Sequence, residues 1–263
     1  MELSKILRVP RRIKQDFEIV FLTKNWKDLL FAKAKNEPFR EIRCRNGVVM
    51  RSPDQVALNF LFHEIWLDEF YAPDGYSIKA NETVVDIGAN IGVFALWAAT
   101  RAENVRVRSY EPFPKNAEYF VENLNASGLT NIEFHAVAVA GESATRILHV
   151  DDSWILHSLT GKDSGEKGVE VECVSLDMVM EGIERCDFLK LDCEGGEYEI
   201  LYAASDESLR KICRMVCEFN VFDNDQKNGN ALEAFLSTKD FTVESHEMLD
   251  AQSGIICAKR QNG

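Results

Sequence analysis

The chain has 263 residues, of which 46% are hydrophobic and 28% charged, and a formal net charge of −13. That length can bury a full core, and one domain with an appendage is the expectation. The acidic balance excludes binding nucleic acid by phosphate neutralisation as a main role, and no apolar run is long enough to span a bilayer.

The charge is unevenly placed. Residues 1–51 hold 13 Lys and Arg against 6 Asp and Glu, so the basic segment sits on an otherwise strongly acidic body. A solvated basic face on a docking helix is the simplest reading. The N-terminus lacks the continuous apolar stretch of a signal peptide. The 7 cysteines show no C-x-x-C spacing, which argues against a disulfide framework or zinc site and for a reducing, cytoplasmic compartment.

In chain order, residues 13–35 read as one amphipathic helix. Ile13, Phe17, Val20 or Phe21, Trp26, Leu29 and Leu30 recur at helical spacing and are expected to pack on the core. A short hairpin comes next, around Asn46-Gly47. Ser52 is the expected cap of a helix that runs to about Tyr71, with Pro53 in its first turn, Gln55 completing a capping box, and Val56, Phe60, Leu67 and Tyr71 on adjoining faces. His63 and Glu64 on this helix are a weak catalytic signal. Residues 1–75 are expected to form a helical extension, capping an acceptor cleft or contacting a second copy in a homodimer.

Residues 82–92, ETVVDIGANIG, organise the rest of the chain. Thr83, Val84 and Val85 form a strand buried on both faces and Asp86 ends the run. Gly88-Ala89-Asn90-Ile91-Gly92 then turns the chain into a helix over 93–100. A strand, a glycine-bearing turn and a helix make the ligand-binding start of an open α/β sheet. The glycines are spaced G-x-x-x-G, so this is not the G-x-G-x-x-G turn that presses backbone against a pyrophosphate.

The next strand, 106–110, ends in Glu111. A carboxylate there suits two ribose hydroxyls and repels a 2′-phosphate. The implied ligand has an adenosine-type ribose without a pyrophosphate. S-adenosylmethionine fits, with its amine near Asp86 and its carboxylate near helix N–H groups. Phe113 is a platform for the adenine, or else a plug in the core beneath the loop. After a helix over 114–126 comes a third strand over 132–139, whose end is expected beside the adenine, with His135, Ala136 and Val137 the candidate contacts.

Strands over 145–150 and 169–174 flank a polar insertion containing Trp154, His157 and Ser158, which either face an acceptor or pack locally. A short helix starts at Ser175. A strand over 187–192, a helix over 197–204, a strand over 215–219, a helix over 231–237 and strands over 241–246 and 254–258 complete the pattern. The alternation predicts a doubly wound, mostly parallel sheet, and the last connection is short enough to require a late antiparallel edge hairpin.

The chain also resembles the FkbM-type S-adenosylmethionine-dependent methyltransferases. The residues that carry the resemblance are VVDIGANIGVFAL (84–96), YEPFP (110–114), VSLD (174–177), LKLDCEGGEYEIL (189–201) and CEF (217–219), in the family's order and over about 81–241. The resemblance implies a Rossmann-like seven-stranded methyltransferase domain over 76–263 that acts most often on oxygen. Asp86, Gly88, Asn90, Gly92, Glu111 and Phe113 are the expected cofactor contacts.

Methyl transfer from a sulfonium needs alignment and, for a hydroxyl acceptor, removal of a proton. Asp192, at the end of the fourth parallel strand, is the preferred base, with Glu218 second. Lys190 lies two residues before Asp192 on the same face of the strand; it either pairs with Asp192 or Glu218 or orients the acceptor. Asp192, Glu194 and Glu218 also make an oxygen set for Mg²⁺, but without dedicated metal-loop spacing the reading without metal is preferred. The acceptor is expected to be a small molecule, a sugar or a lipid-linked hydroxyl. A nicotinamide-dependent oxidoreductase and a catalytically silent cofactor-binding module are the alternatives.

Overall fold

The computed structural model describes residues 11–150, 157–158, 168–222 and 226–261. Two helices come first, α1 (Arg11–Leu22) and α2 (Trp26–Lys35). The single helix expected over 13–35 is therefore broken. Thr23 forms a β-bridge with Cys44, and the Asn25 side chain pairs with the backbone of Glu41 and Arg43. These bonds tie the break to the hairpin of β1 (Glu41–Arg43) and β2 (Val49–Arg51). The face also differs from expectation: Ile19 is buried, while Ile13, Phe17 and Phe21 are exposed.

Helix α3 (Gln55–Leu61) is capped by Asp54, whose Oδ1 accepts from Val56 N at 2.7 Å and Ala57 N at 3.1 Å. Ser52, the expected cap, instead accepts from Asp54 N. The carboxylate reaches two of the free amides of the first turn, which explains the exchange of roles. The helix then widens into a π-helical turn, Phe62–Leu67.

The alternating part runs through β3 (Thr83–Ile87), α4 (Val93–Ala99), β4 (Arg106–Tyr110), α5 (Pro114–Ser127) and β5 (Ile132–His135). The strand expected over 132–139 stops early. Its continuation, β6 (Ala138–Ala140), leaves for a second sheet with β7 (Ala144–Val150), β8 (His157–Ser158) and β9 (Gly168–Ser175), in the order β6-β9-β7-β8. Trp154 lies outside the described residues. The remaining elements are α6 (Leu176–Val179), β10 (Phe188–Leu191), α7 (Glu197–Ala203), α8 (Asp206–Lys211), β11 (Arg214–Asn220), α9 (Gly229–Thr238), β12 (Phe241–Met248) and β13 (Ser253–Arg260). Helix α8 has no counterpart in the sequence reading; Ser205 caps it.

The main sheet has seven strands in the order β12-β13-β11-β10-β3-β4-β5. From β11 through β5 neighbouring strands are parallel, and β13 pairs antiparallel with both β11 and β12. This is the expected α/β sheet with its late reversed hairpin. Alternation along β3 divides the core: Val84 joins a cluster with Phe94 and Trp97, while Val85 and Ile87 join one with Leu189, Leu191 and Tyr198. The first cluster continues without interruption through Ile19, Phe62 and Trp66, so the N-terminal extension shares its core with the sheet.

Candidate active site

The carboxyl ends of β3, β4 and β10 open into a cleft. Three chain segments wall it. The turns after β3, β4 and β10 supply Gly88, Asn90, Glu111, Asp192 and Glu194. The N-terminal extension supplies Leu61, Ile65 and Tyr71. The second sheet supplies Ala138, Val139 and Leu148.

The turn after β3 is held by its neighbours. Gly88 N and Ala89 N both donate to Tyr110 O, at 3.1 and 3.0 Å. Gly88 has φ +79°, and a Cβ there would lie 1.6 Å from the Asp192 carbonyl oxygen, so only glycine allows the two turns to meet. Asn90 takes the left-handed conformation beside it.

Glu111 faces the cleft although its side chain is largely enclosed. Its Oε2 accepts from Asn90 N and its Oε1 from Phe113 N, both at 2.9 Å. The Asn116 side chain also bonds to this carboxylate, which leaves it a lone pair for a hydroxyl. Burial pushes the carboxyl up to about 7, against the backbone donors that favour its charge.

Asp86 lies behind the cleft wall, fully buried. Its nearest cation is Lys190, whose Nζ is 3.4 Å from Asp86 Oδ1 and 3.3 Å from Asp192 Oδ2, and donates to Gly88 O at 2.7 Å. Burial opposes the Lys190 charge, yet the two carboxylates hold its pKa above the ordinary lysine range. Of the two carboxylates expected as partners for Lys190, the structure gives Asp192 as an ion pair, and it adds Asp86.

On the other side of Asp192, the Tyr71 hydroxyl oxygen is 2.9 Å from Asp192 Oδ2 and 3.0 Å from Glu218 Oε2. Burial pushes Glu218 up to about 8, with the Asp192 charge adding to it. Glu194 is likewise raised to about 8, by burial and the charges of Asp192 and Glu218, and Glu64 to about 7, by burial and Asp192.

Among the residues singled out by sequence, Gly88, Asn90, Glu111, Lys190 and Asp192 therefore line one cleft. Glu218 joins it through Tyr71. Gly92 lies to the side, where a Cβ would press on the Phe120 ring at 2.9 Å. Phe113 packs in a small cluster with Ala138, Leu148 and Val171, and exposed Ala136 is not part of the cleft wall. Among the described residues, no group of three or more His, Cys, Asp and Glu is arranged to hold a metal ion. Among the same residues, no helix is long and apolar enough to cross a membrane.

Residues 86–250 match the methyltransferase FkbM domain, which covers more than half of the chain and contains Asp86, Glu111, Asp192 and Glu218. The chain belongs to the FkbM methyltransferase family. It is similar to the 31-O-demethyl-FK506 methyltransferase FkbM of Streptomyces tacrolimicus, at 26% identity over 78% of this chain and 90% of that protein. It is also 23% identical, over 74% of its length, to the AMB antimetabolite synthetase AmbE of Pseudomonas aeruginosa, of which it spans only 11%. Among solved structures it is similar to a SAM dependent methyltransferase from Aquifex aeolicus, at 12% identity and a TM-score of 0.42, over 79% of this chain and 98% of that one.

Two residues of this FkbM-family site escape the sequence reading of function. Tyr71 reads only as a hydrophobic position on a helix face. Asn116 lies on α5, lines the cleft, and has a buried Oδ1 without a hydrogen-bond donor. Its one sequence signal is a polar amide two residues into a helix that comes after the YEPFP loop.

Proposed function

We propose that this chain uses S-adenosylmethionine to methylate a hydroxyl oxygen on a small, uncharged acceptor such as a sugar or polyketide alcohol. The single observation that carries the reading is Asp192: Tyr71 and Lys190 both hold its Oδ2 at the edge of the cleft, leaving Oδ1 outside these contacts.

The cleft fits an adenosyl sulfonium. The Glu111 carboxylate would accept a ribose hydroxyl, and the donor-less Asn116 Oδ1 offers an acceptor for an amino or hydroxyl group. Gly88 and Asn90 would line the amino-acid portion, and Asp86 would act through Lys190. When bound, the cofactor supplies an electrophilic methyl group on a positively charged sulfur.

The chain's own residues then have two tasks. The walls from the extension and the second sheet exclude water and align the acceptor, where most of the rate gain of a displacement resides. Asp192 takes the hydroxyl proton as the oxygen–carbon bond forms. Lys190 is the only basic side chain on the cleft wall among the described residues, and it is already paired. Acceptors bearing phosphate or carboxylate would meet Asp192, Glu194 and Glu111 without a free cation, which supports an uncharged acceptor.

The test is mass spectrometry after incubating enzyme and S-adenosylmethionine with metabolite extracts and a panel of alcohols. A product heavier by one CH₂ unit, with the methyl on oxygen, is expected. Methylation only on nitrogen or carbon overturns the oxygen assignment, and absence of S-adenosylmethionine binding by calorimetry overturns the reading itself.

A further inference from the structure

We infer that Tyr71 holds Asp192 and Glu218 as a pair sharing one proton, with the proton kept by Glu218 and the charge kept by Asp192. What the pair is for rests on the methyl-transfer reading; the sharing rests on geometry alone.

A tyrosine hydroxyl has one proton and otherwise only lone pairs. The Tyr71 oxygen lies within hydrogen-bond distance of both Asp192 Oδ2, at 2.9 Å, and Glu218 Oε2, at 3.0 Å. Its proton can serve one of them. With both carboxyls ionised, the other oxygen would face a phenolic lone pair at close range in a partly buried site, a contact that is repulsive. One proton on the second carboxyl converts the repulsion into a hydrogen bond. The chain of donors then runs from the Glu218 carboxyl, donating to Tyr71, to the Tyr71 hydroxyl, donating to Asp192.

The surroundings decide which carboxyl keeps the proton. Lys190 Nζ sits 3.3 Å from the same Asp192 oxygen and stabilises charge there. Glu218 has no ion-pair partner within 4 Å among the described residues; the charges of Asp192 and Glu64 disfavour its own, while Tyr71 as a donor and the more distant Lys190 work the other way. Burial pushes Glu218 in the same direction, up to about 8. The Tyr71 phenol keeps its own proton, because burial and the adjacent carboxylates raise it well above its ordinary range. The ionisable groups facing this set come from every element around it. They are Glu64 from the π-helical turn, Asp86 from β3, Lys190 from β10, Cys193 and Glu194 from the loop after β10, Glu197 from α7 and Cys217 from β11.

Tyr71 is thus a positioning residue supplied by the N-terminal extension. It fixes Asp192 as the carboxylate free to take the acceptor's proton. As the acceptor oxygen bonds to the methyl carbon, the carbon–sulfur electron pair stays on sulfur and the hydroxyl proton moves to Asp192, so charge and protons balance.

Infrared difference spectroscopy on the full chain tests this without an acceptor. The wild-type spectrum minus that of Glu218→Gln isolates Glu218 from the other protonated carboxyls, including Glu194. At neutral pH it is expected to show a carboxylic C=O band that shifts in D₂O and disappears as pH rises through about 8. Tyr71→Phe, checked for folding by circular dichroism, should move both the frequency and the titration midpoint of that band. A Glu218 signal that is carboxylate only at neutral pH overturns the inference, whether or not Tyr71→Phe folds. So does a Tyr71→Phe band unchanged in frequency and midpoint. Calorimetry with S-adenosylmethionine separates the two failures. The band without cofactor binding sinks the methyl-transfer reading and leaves the shared proton standing, while binding without the band does the reverse.

Discussion

Lys190 and Gly88 join the two turns that frame the cleft: Lys190 Nζ donates to the Gly88 carbonyl oxygen at 2.7 Å, from a side chain in a residue only 3% exposed. The same ammonium neutralises Asp86, whose two oxygens have no hydrogen-bond donor among the described residues. A buried charge is tolerated only while it is paired.

Lys190→Met keeps most of the length of the side chain and removes the charge. It leaves Asp86 and Asp192 without their cation, and the loss of one partner of a buried pair typically costs about 3–5 kcal/mol. The expected outcome is a correspondingly lower urea midpoint and weakened S-adenosylmethionine binding. Chemical denaturation and calorimetry measure the two effects, and a variant as stable as the parent would show that Asp86 is not dependent on Lys190.

Glu111 carries two loads. It fixes the turn by accepting from Asn90 N and Phe113 N, and it presents its remaining lone pair to the cleft. Glu111→Ala should weaken S-adenosylmethionine binding by at least about tenfold, the equivalent of one lost charge-assisted hydrogen bond of roughly 1.5–3 kcal/mol. Glu111→Gln retains one carbonyl acceptor and should fall between the two. Calorimetry on all three proteins checks the order, and equal affinity across them would remove Glu111 from the ribose site.

These two residues also show what a single sequence makes legible. The turn after β3 is readable because a strand buried on both faces is a continuous apolar run, and its polar end marks the crevice; the carboxylate after β4 is readable from its place at the end of the next strand, although Arg106, Arg108 and Ser109 interrupt the apolar pattern there. Lys190 is conspicuous for the same reason, as a charge inside such a run. Tyr71 is not. Its partners lie 121 and 147 residues further on, and nothing near it in the chain announces them. The residues at 132–139 read as one strand, yet His135 pairs with Tyr110 in the main sheet while Ala138 pairs with Cys173 in the other. Local propensity describes a strand but not which neighbour takes it, so the wall formed by Ala138, Val139 and Leu148 could not be foreseen.

The raised carboxyls make stability depend on pH in a stated direction. Burial pushes Glu64, Glu111 and Glu197 up to about 7, and Glu194 and Glu218 up to about 8, from an ordinary value of 4.5. Between those values the folded chain holds protons that the unfolded chain has released. Stability therefore falls as pH rises through this window and levels off above it. Thermal unfolding followed from mildly acid to mildly alkaline buffer should show a decreasing midpoint. A midpoint that rises steadily over the same interval would mean that these groups are ionised in the folded state.

Asp192→Asn tests the chemistry with the least disturbance to the fold. The amide keeps the shape and can still accept from Tyr71, but it cannot take a proton from an acceptor hydroxyl. A positioned general base contributes typically about 10²–10⁴-fold, so turnover on the identified acceptor should drop by about that factor. S-adenosylmethionine affinity should change far less, because in this reading Glu111, Asn116 and the turn at Gly88 carry the binding. Glu218→Gln should cost less than Asp192→Asn, since the Glu218 carboxyl is already protonated in the working pair. Measuring kcat and cofactor affinity for both variants separates the roles. If Asp192→Asn turned over at the parental rate, the proton would have to leave by another group; if Glu218→Gln proved the more damaging change, the base would be Glu218.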